Sequence, residues 1–85
     1  MHTTNIQTDT RNFLVQNFLF GRAEQLVDDA PLLGKVIDST GVLELIGFLQ
    51  EHFEIIVPDE EVVPANLDSV NSITAYVSRK LDGKA

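Results

Sequence analysis

Asp38-Ser39-Thr40-Gly41-Val42-Leu43-Glu44-Leu45-Ile46-Gly47-Phe48-Leu49-Gln50-Glu51-His52-Phe53 reads as a single amphipathic helix. At about 100° per residue, Val42, Leu45, Ile46, Leu49 and Phe53 share one broad apolar face. Asp38 stands where an N-cap carboxylate accepts a free first-turn N–H, so the spacing predicts a helix over about 39–53. Across from the apolar face, Thr40, Glu44, Gly47 and Glu51 form a polar or small stripe at i, i+4, i+7 and i+11. Leu43 and Phe48 flank that stripe. Such a helix has to bury its apolar face against other elements, and the rest of the chain supplies them.

Upstream, Thr4-x-x-Gln7 fits a capping box, and Ile6, Phe13 and Leu14 share one face with Phe18 at its edge. This predicts a first helix over about 4–20, with Gly21 as its stop. The connection over 21–38 is longer than compact domains usually allow, unless it is functional or partly helical. Its apolar Leu26, Leu32, Leu33 and Ile37 suggest a loop pinned across a bundle, with an extra turn at 22–29 left open. Downstream, a few alternating residues near Glu54–Val57 are the only hint of extended chain. Pro58 breaks the run, a short helix is expected over about 59–63, and Pro64 is expected to end it. A last helix over about 68–81 carries Val70, Ile73 and Val77 inward before Gly83. The reading is all-α: three main helices, one short helix and a long first loop in a small bundle.

Eighty-five residues, 44% of them apolar, make one small domain. No cysteine is present, which excludes disulfide scaffolds, cysteine-ligated zinc, iron–sulfur clusters and thiol nucleophiles. The chain has neither an apolar run near 20 residues nor a basic-then-apolar leader, so a soluble, cytoplasmic protein is expected, with no membrane partner. The net charge of −7 is unevenly spread. Between Glu24 and Asp68 there are eleven acids and one base, Lys35, whereas the flanks carry five bases against Asp9 and Asp82. Phosphate backbones repel such a surface, so no nucleic-acid partner is expected. A protein with a basic docking patch is its complement, and a merely solvated acidic surface is the plainer alternative.

Catalytic and metal chemistry lack their parts. An activated serine needs a base within hydrogen-bond reach. The only histidines are His2, near the N-terminus, and His52, roughly 20 Å along the helix from Ser39 at about 1.5 Å per residue. Two histidines without a paired carboxylate motif do not make a metal site, so His52 reads as a boundary or solvated residue. The Asp59-Glu60-Glu61 run lacks the spacing and central glycine of a calcium loop and suits the first turn of a short helix. The chain reads as no enzyme. Ser39 instead reads as a substrate of another protein's chemistry. It follows a long loop and opens a helix, where free N–H groups and the helix dipole favour an attached phosphate. An ordinary serine in a helix first turn is the alternative.

Taken together, these residues resemble the acyl carrier protein family, including its peptidyl and aminoacyl members. The likeness rests on Leu32-Leu33-Gly34, Ile37-Asp38-Ser39, Glu44-Leu45-Ile46, Leu49-Gln50-Glu51-His52-Phe53, Val57-Pro58-Asp59-Glu60-Glu61, Asn66-Leu67-Asp68-Ser69-Val70 and Ile73 to Val77. It covers Ala30 to Leu81, more weakly the first helix, and identifies 1–85 as a single carrier domain. The resemblance implies a four-helix bundle with Ser39, flanked by Asp38, as the attachment point for 4′-phosphopantetheine. A phosphopantetheinyl transferase would install that arm from coenzyme A. The arm's thiol then holds acyl or aminoacyl groups as thioesters and presents them to enzymes of fatty-acid, polyketide or related specialised biosynthesis. By the same resemblance Thr40, Leu43, Glu44 and Glu51 are docking residues for an activating ligase or synthase with a basic patch, and the carrier acts as a monomer.

Two departures stand out. The family usually has Leu or Met where Thr40 follows the serine, and most fatty-acid carriers have an acid at the position of Gly41. With the run from Ile37 to Leu45 and the Asn66–Val70 stretch, this looks more like a stand-alone carrier serving a dedicated adenylating ligase. Asp68-Ser69 repeats the Asp-Ser pair but lacks the Leu-Leu-Gly approach and the acidic helix, so Ser69 reads as a helix N-terminal residue. Val42, Leu45, Ile46 and Ile73 are candidates to line an inner cleft, against a default of tight packing. A second function of a different class is an acidic helical adaptor that binds a basic protein without any prosthetic group.

Overall fold

The computed structural model describes residues 5–84, and each of its helices begins and ends for a local reason. Helix α1 (Ile6–Phe18) opens after Asn5, whose side-chain oxygen accepts the Thr8 N–H at 2.9 Å. Thr4, the expected capping-box residue, lies outside the described residues, as does His2. Gln7 does not reach back toward the cap: its amide donates at 2.6 Å to Asp28 on the long loop, a charged acceptor. The helix stops two residues short of the expected 20. Phe20 and Gly21 both take left-handed backbone (φ 54° and 83°), and the Leu19 and Gly21 N–H groups share the Val15 carbonyl.

The loop that follows contains one 3-10 turn, Ala23–Gln25, and otherwise runs irregularly across the bundle. Leu26, Leu32 and Ile37 are buried along it. The Asp28 carboxylate takes Arg11 as well as Gln7 from α1, and its backbone carbonyl accepts the Asn71 N–H at 3.0 Å. The loop is thereby fastened to both neighbouring helices.

Helix α2 (Ser39–Phe53) has Asp38 as its N-cap, accepting the Gly41 N–H at 2.7 Å. Leu45, Leu49 and Phe53 are buried, while Val42 and Ile46 are half-buried. Phe48, read as a flank of the polar stripe, stacks on Phe13 of α1 with ring centroids 4.3 Å apart. Beyond Glu54, Ile55 and Val57 are buried and Ile56 is exposed, the alternation of an extended segment. No partner strand completes it among the described residues; the Val57 N–H goes instead to the Gln50 side chain at 2.9 Å. A lone parallel bridge between Leu33 and Ile37 is the only sheet-like pairing described.

The expected short helix over 59–63, ended by Pro64, is corrected. Asp59–Glu61 form a 3-10 turn, and Pro64 begins helix α3 (Pro64–Leu67). Proline at the first position loses no bond, because that N–H has no intrahelical acceptor. Helix α4 (Val70–Lys84) starts two residues later than the expected 68 and runs past 81. Ser69 is its cap: the hydroxyl oxygen accepts the Ser72 N–H at 3.0 Å. Helix α4 packs along α1 and over α3, and also meets α2. Leu14, Leu45, Leu49, Val70, Ile73 and Val77 fill the centre with no exposed surface. The fold is a small all-α bundle of four helices. No described helix is long and apolar enough to cross a membrane.

Candidate functional site

Ser39 is the first residue of α2 and is exposed. The residues before it form a tight turn. The Leu32 carbonyl accepts the N–H groups of Lys35, Val36 and Ile37 at 2.9–3.1 Å, and the Gly34 N–H reaches the Ile37 carbonyl at 2.9 Å. Gly34 has φ 82°, which glycine adopts without the Cβ penalty of other residues. Ile37 is buried, so the chain is anchored one residue before the cap and two before the serine. Asp38 spends a carboxylate oxygen on the Gly41 N–H. The Ser39 hydroxyl has no hydrogen-bond partner among the described residues. The N–H groups of Ser39 and Thr40 have no acceptor within the helix, and the positive end of the helix dipole lies at the same point.

The second Asp-Ser pair is built differently. Asp68 directs its carboxylate at the backbone N–H groups of Leu32 and Leu33, at 3.1 and 2.9 Å. The Ser69 hydroxyl caps α4 and donates to Ser72 Oγ at 3.0 Å. Local sequence barely separates the two pairs. Tertiary contacts do.

The predicted docking residues Thr40, Leu43, Glu44 and Glu51 are all exposed on α2, and Leu43 leaves 71% of its surface open. A cleft of about 450 Å³ lies beside the serine, lined by Asn17, Phe18, Lys35, Asp38, Thr40 and Glu44 among others. Of the residues considered for an inner cleft, two follow the default of tight packing. Leu45 and Ile73 are sealed in the core, while Val42 helps to line a small apolar groove of about 100 Å³ with Leu33, Val62, Val63, Pro64 and Leu67. His52 lies at the far end of α2, where its Nε2 is 3.0 Å from Asp9 and its ring stacks on Phe48 at 4.9 Å.

Away from the serine, Glu61 accepts from the Tyr76 hydroxyl at 2.5 Å and from Lys80 at 3.0 Å. Tyr76 above all, then Lys80, holds the Glu61 carboxyl below the usual carboxylate range. Burial, then the bond to Glu61, pushes the Tyr76 phenol well above its ordinary value. Sequence reading missed Tyr76 as a core residue, although it follows Ile73 by three and precedes Val77. It also missed Asp28, Phe48 and Asp68 as fasteners, for which no local signal exists.

No family model matches the chain. A curated relative described as probable acyl carrier protein PigG, from Serratia sp., is 30% identical over 69 residues, spanning 80% of this chain and 79% of the relative. The chain belongs to the acyl carrier protein family. In this carrier-family chain the Phe18 ring occupies the space beside Gly41, where a side chain would have to go.

Proposed function

We propose that this protein is a non-catalytic carrier whose 4′-phosphopantetheine arm is attached to Ser39. The observation that carries the reading is the exposed Ser39 hydroxyl, without a hydrogen-bond partner among the described residues, at the start of a capped fifteen-residue helix. The residues present fit the group. The hydroxyl is free to form the phosphodiester, and the open first-turn N–H groups suit a phosphate. Lys35 lies on the adjoining turn. When bound, the arm supplies a terminal thiol that carries acyl or aminoacyl groups as thioesters, a chemistry that the cysteine-free chain does not itself provide.

The chain's own contribution is presentation. The 32–37 turn and the Asp38 cap hold Ser39 at the edge of the bundle, and Thr40, Leu43, Glu44 and Glu51 offer an acidic face with one apolar contact to a partner with a basic patch. That set includes a phosphopantetheinyl transferase and an acyl- or aminoacyl-activating ligase or synthase. Thr40 in place of the family's usual Leu or Met, and Gly41 where most fatty-acid carriers have an acid, favour a specialised carrier with a dedicated ligase. The test is intact mass after incubation with coenzyme A and a permissive transferase. Wild-type protein gains one phosphopantetheine, and Ser39→Ala gains none. A bare wild-type chain after prolonged incubation with a transferase active on other carriers overturns the reading.

A further inference from the structure

The turn that delivers Ser39 is not self-supporting. Pro31 has no N–H, so Leu32 and Leu33 carry the first donors after it, and both point at one residue 35 or more positions away. Asp68 Oδ1 accepts the Leu32 and Leu33 N–H groups at 3.1 and 2.9 Å, and the Asp68 backbone carbonyl takes the Leu32 N–H as well, at 2.7 Å. The Leu32 carbonyl in turn accepts the N–H groups of Lys35, Val36 and Ile37. Ile37 is followed directly by the Asp38 cap and by Ser39. A continuous chain of hydrogen bonds therefore runs from the α3–α4 junction to the residue before the cap. Its origin is a half-buried carboxylate, the stronger class of acceptor.

We propose that Asp68 is a positioning residue for the modification of Ser39: it sets the register of the 32–37 turn so that the serine reaches the transferase with its hydroxyl outward. The proposal rests on the carrier reading above. Asp68 touches neither the serine nor the arm, and it lies off the docking face of α2. Its loss therefore acts on the geometry of Ser39 and not on partner affinity. Asparagine retains the Oδ1 acceptor, whereas alanine leaves the Leu33 N–H unmet and holds Leu32 by the residue 68 backbone carbonyl alone.

The experiment compares wild type, Asp68→Ala, Asp68→Asn and Asp29→Asn, the last an exposed acid on the same loop. Amide hydrogen exchange and transferase kinetics with coenzyme A are measured on each. In Asp68→Ala the amide of Leu33, which loses its acceptor, and those of Val36 and Ile37 on the turn exchange about tenfold faster or more, the scale of bonds to a charged acceptor, while those of Leu14 and Val77 stay protected. The transferase kcat falls by about tenfold with KM for the carrier unchanged, since the docking face is intact. Asp68→Asn recovers most of both, and Asp29→Asn matches wild type. Unchanged exchange in Asp68→Ala, or faster exchange with unchanged kcat, overturns the proposal. Should Asp68→Ala not fold, wild type decides it: a Leu33 amide exchanging as fast as that of Glu24 overturns it, and one protected like the amides of α4 supports it. An unmodified wild-type chain would sink the carrier reading, and the hold of Asp68 on the turn would then be judged by exchange alone.

Discussion

The ring of Phe18 stands where a side chain on residue 41 would have to go: a Cβ built on Gly41 would lie 2.8 Å from Phe18 Cε1 and 3.0 Å from Ile37 Cγ2. Helices α1 and α2 therefore close at the serine end through a bare backbone on one side and an aromatic ring on the other. Gly41→Ala gains helix propensity, about 1 kcal/mol, but overpacks this contact at about 1–3 kcal/mol. The expected net is a loss of about 1 kcal/mol, read from urea midpoints. Phe18→Leu in the Gly41→Ala background should return part of it by making room, a coupling that a double-mutant cycle detects.

Ser69 and Ser39 respond oppositely to truncation. Ser69→Ala removes the α4 cap and costs about 1 kcal/mol of stability, with uptake of the phosphopantetheine group unaffected. Ser39→Ala abolishes uptake and leaves stability nearly unchanged, because its hydroxyl bonds to nothing described. Intact mass and thermal melts on both variants check the pair. Loss of uptake in Ser69→Ala alone would reverse the site assignment.

Thr10 is fully buried in α1, and its hydroxyl has no hydrogen-bond partner among the described residues. A buried hydroxyl without a partner is worth less than a methyl of the same shape. Thr10→Val keeps the β-branched outline and is expected to stabilise the fold by about 1 kcal/mol. Denaturant unfolding with an unchanged slope is the check, and a destabilised variant would show that the hydroxyl is satisfied in solution.

Glu61, Tyr76 and Lys80 predict two pH limbs. The folded Glu61 carboxyl lies below its ordinary value, so its contribution is present above the unfolded value near 4.5 and is lost as pH falls through the lowered one. Tyr76→Phe removes the largest cause, and the Glu61 titration followed by carboxyl NMR should move upward toward the usual range. Tyr76 shifts the other way. Above its ordinary value of 10.0 the unfolded chain releases the phenol proton while the folded chain keeps it, so stability declines as pH rises there. Tyr76 is the only tyrosine, and tyrosinate absorbance therefore reports it alone. The signal should lag free tyrosine in the folded protein and match it in denaturant.

Much of the fold is written locally. Asp38 before an apolar period of 3.6, Gly21 after α1, and Val70, Ile73 and Val77 at helical spacing each carry their own physics, so the main helices are legible residue by residue. Errors fall where two local signals compete. Pro64 is both a helix breaker and a favoured first helical residue, and only the chain's direction after Val63 decides between them. Phe48 lies at the margin of the apolar face, and its burial depends on Phe13 being opposite.

Sequence alone determined that the chain is helical and acidic, and that it has one serine at the start of an acidic helix, because composition, period and capping act over a few residues. Sequence context favoured Ser39 over Ser69, but only the tertiary structure shows which of the two hydroxyls is already engaged. The Asp68 carboxylate and Ser69 hydroxyl are consumed by Leu32, Leu33 and Ser72, whereas no described residue hydrogen-bonds the Ser39 hydroxyl. The Leu32 and Leu33 contacts to Asp68 join residues more than thirty positions apart, and no local pattern encodes a partner at that distance.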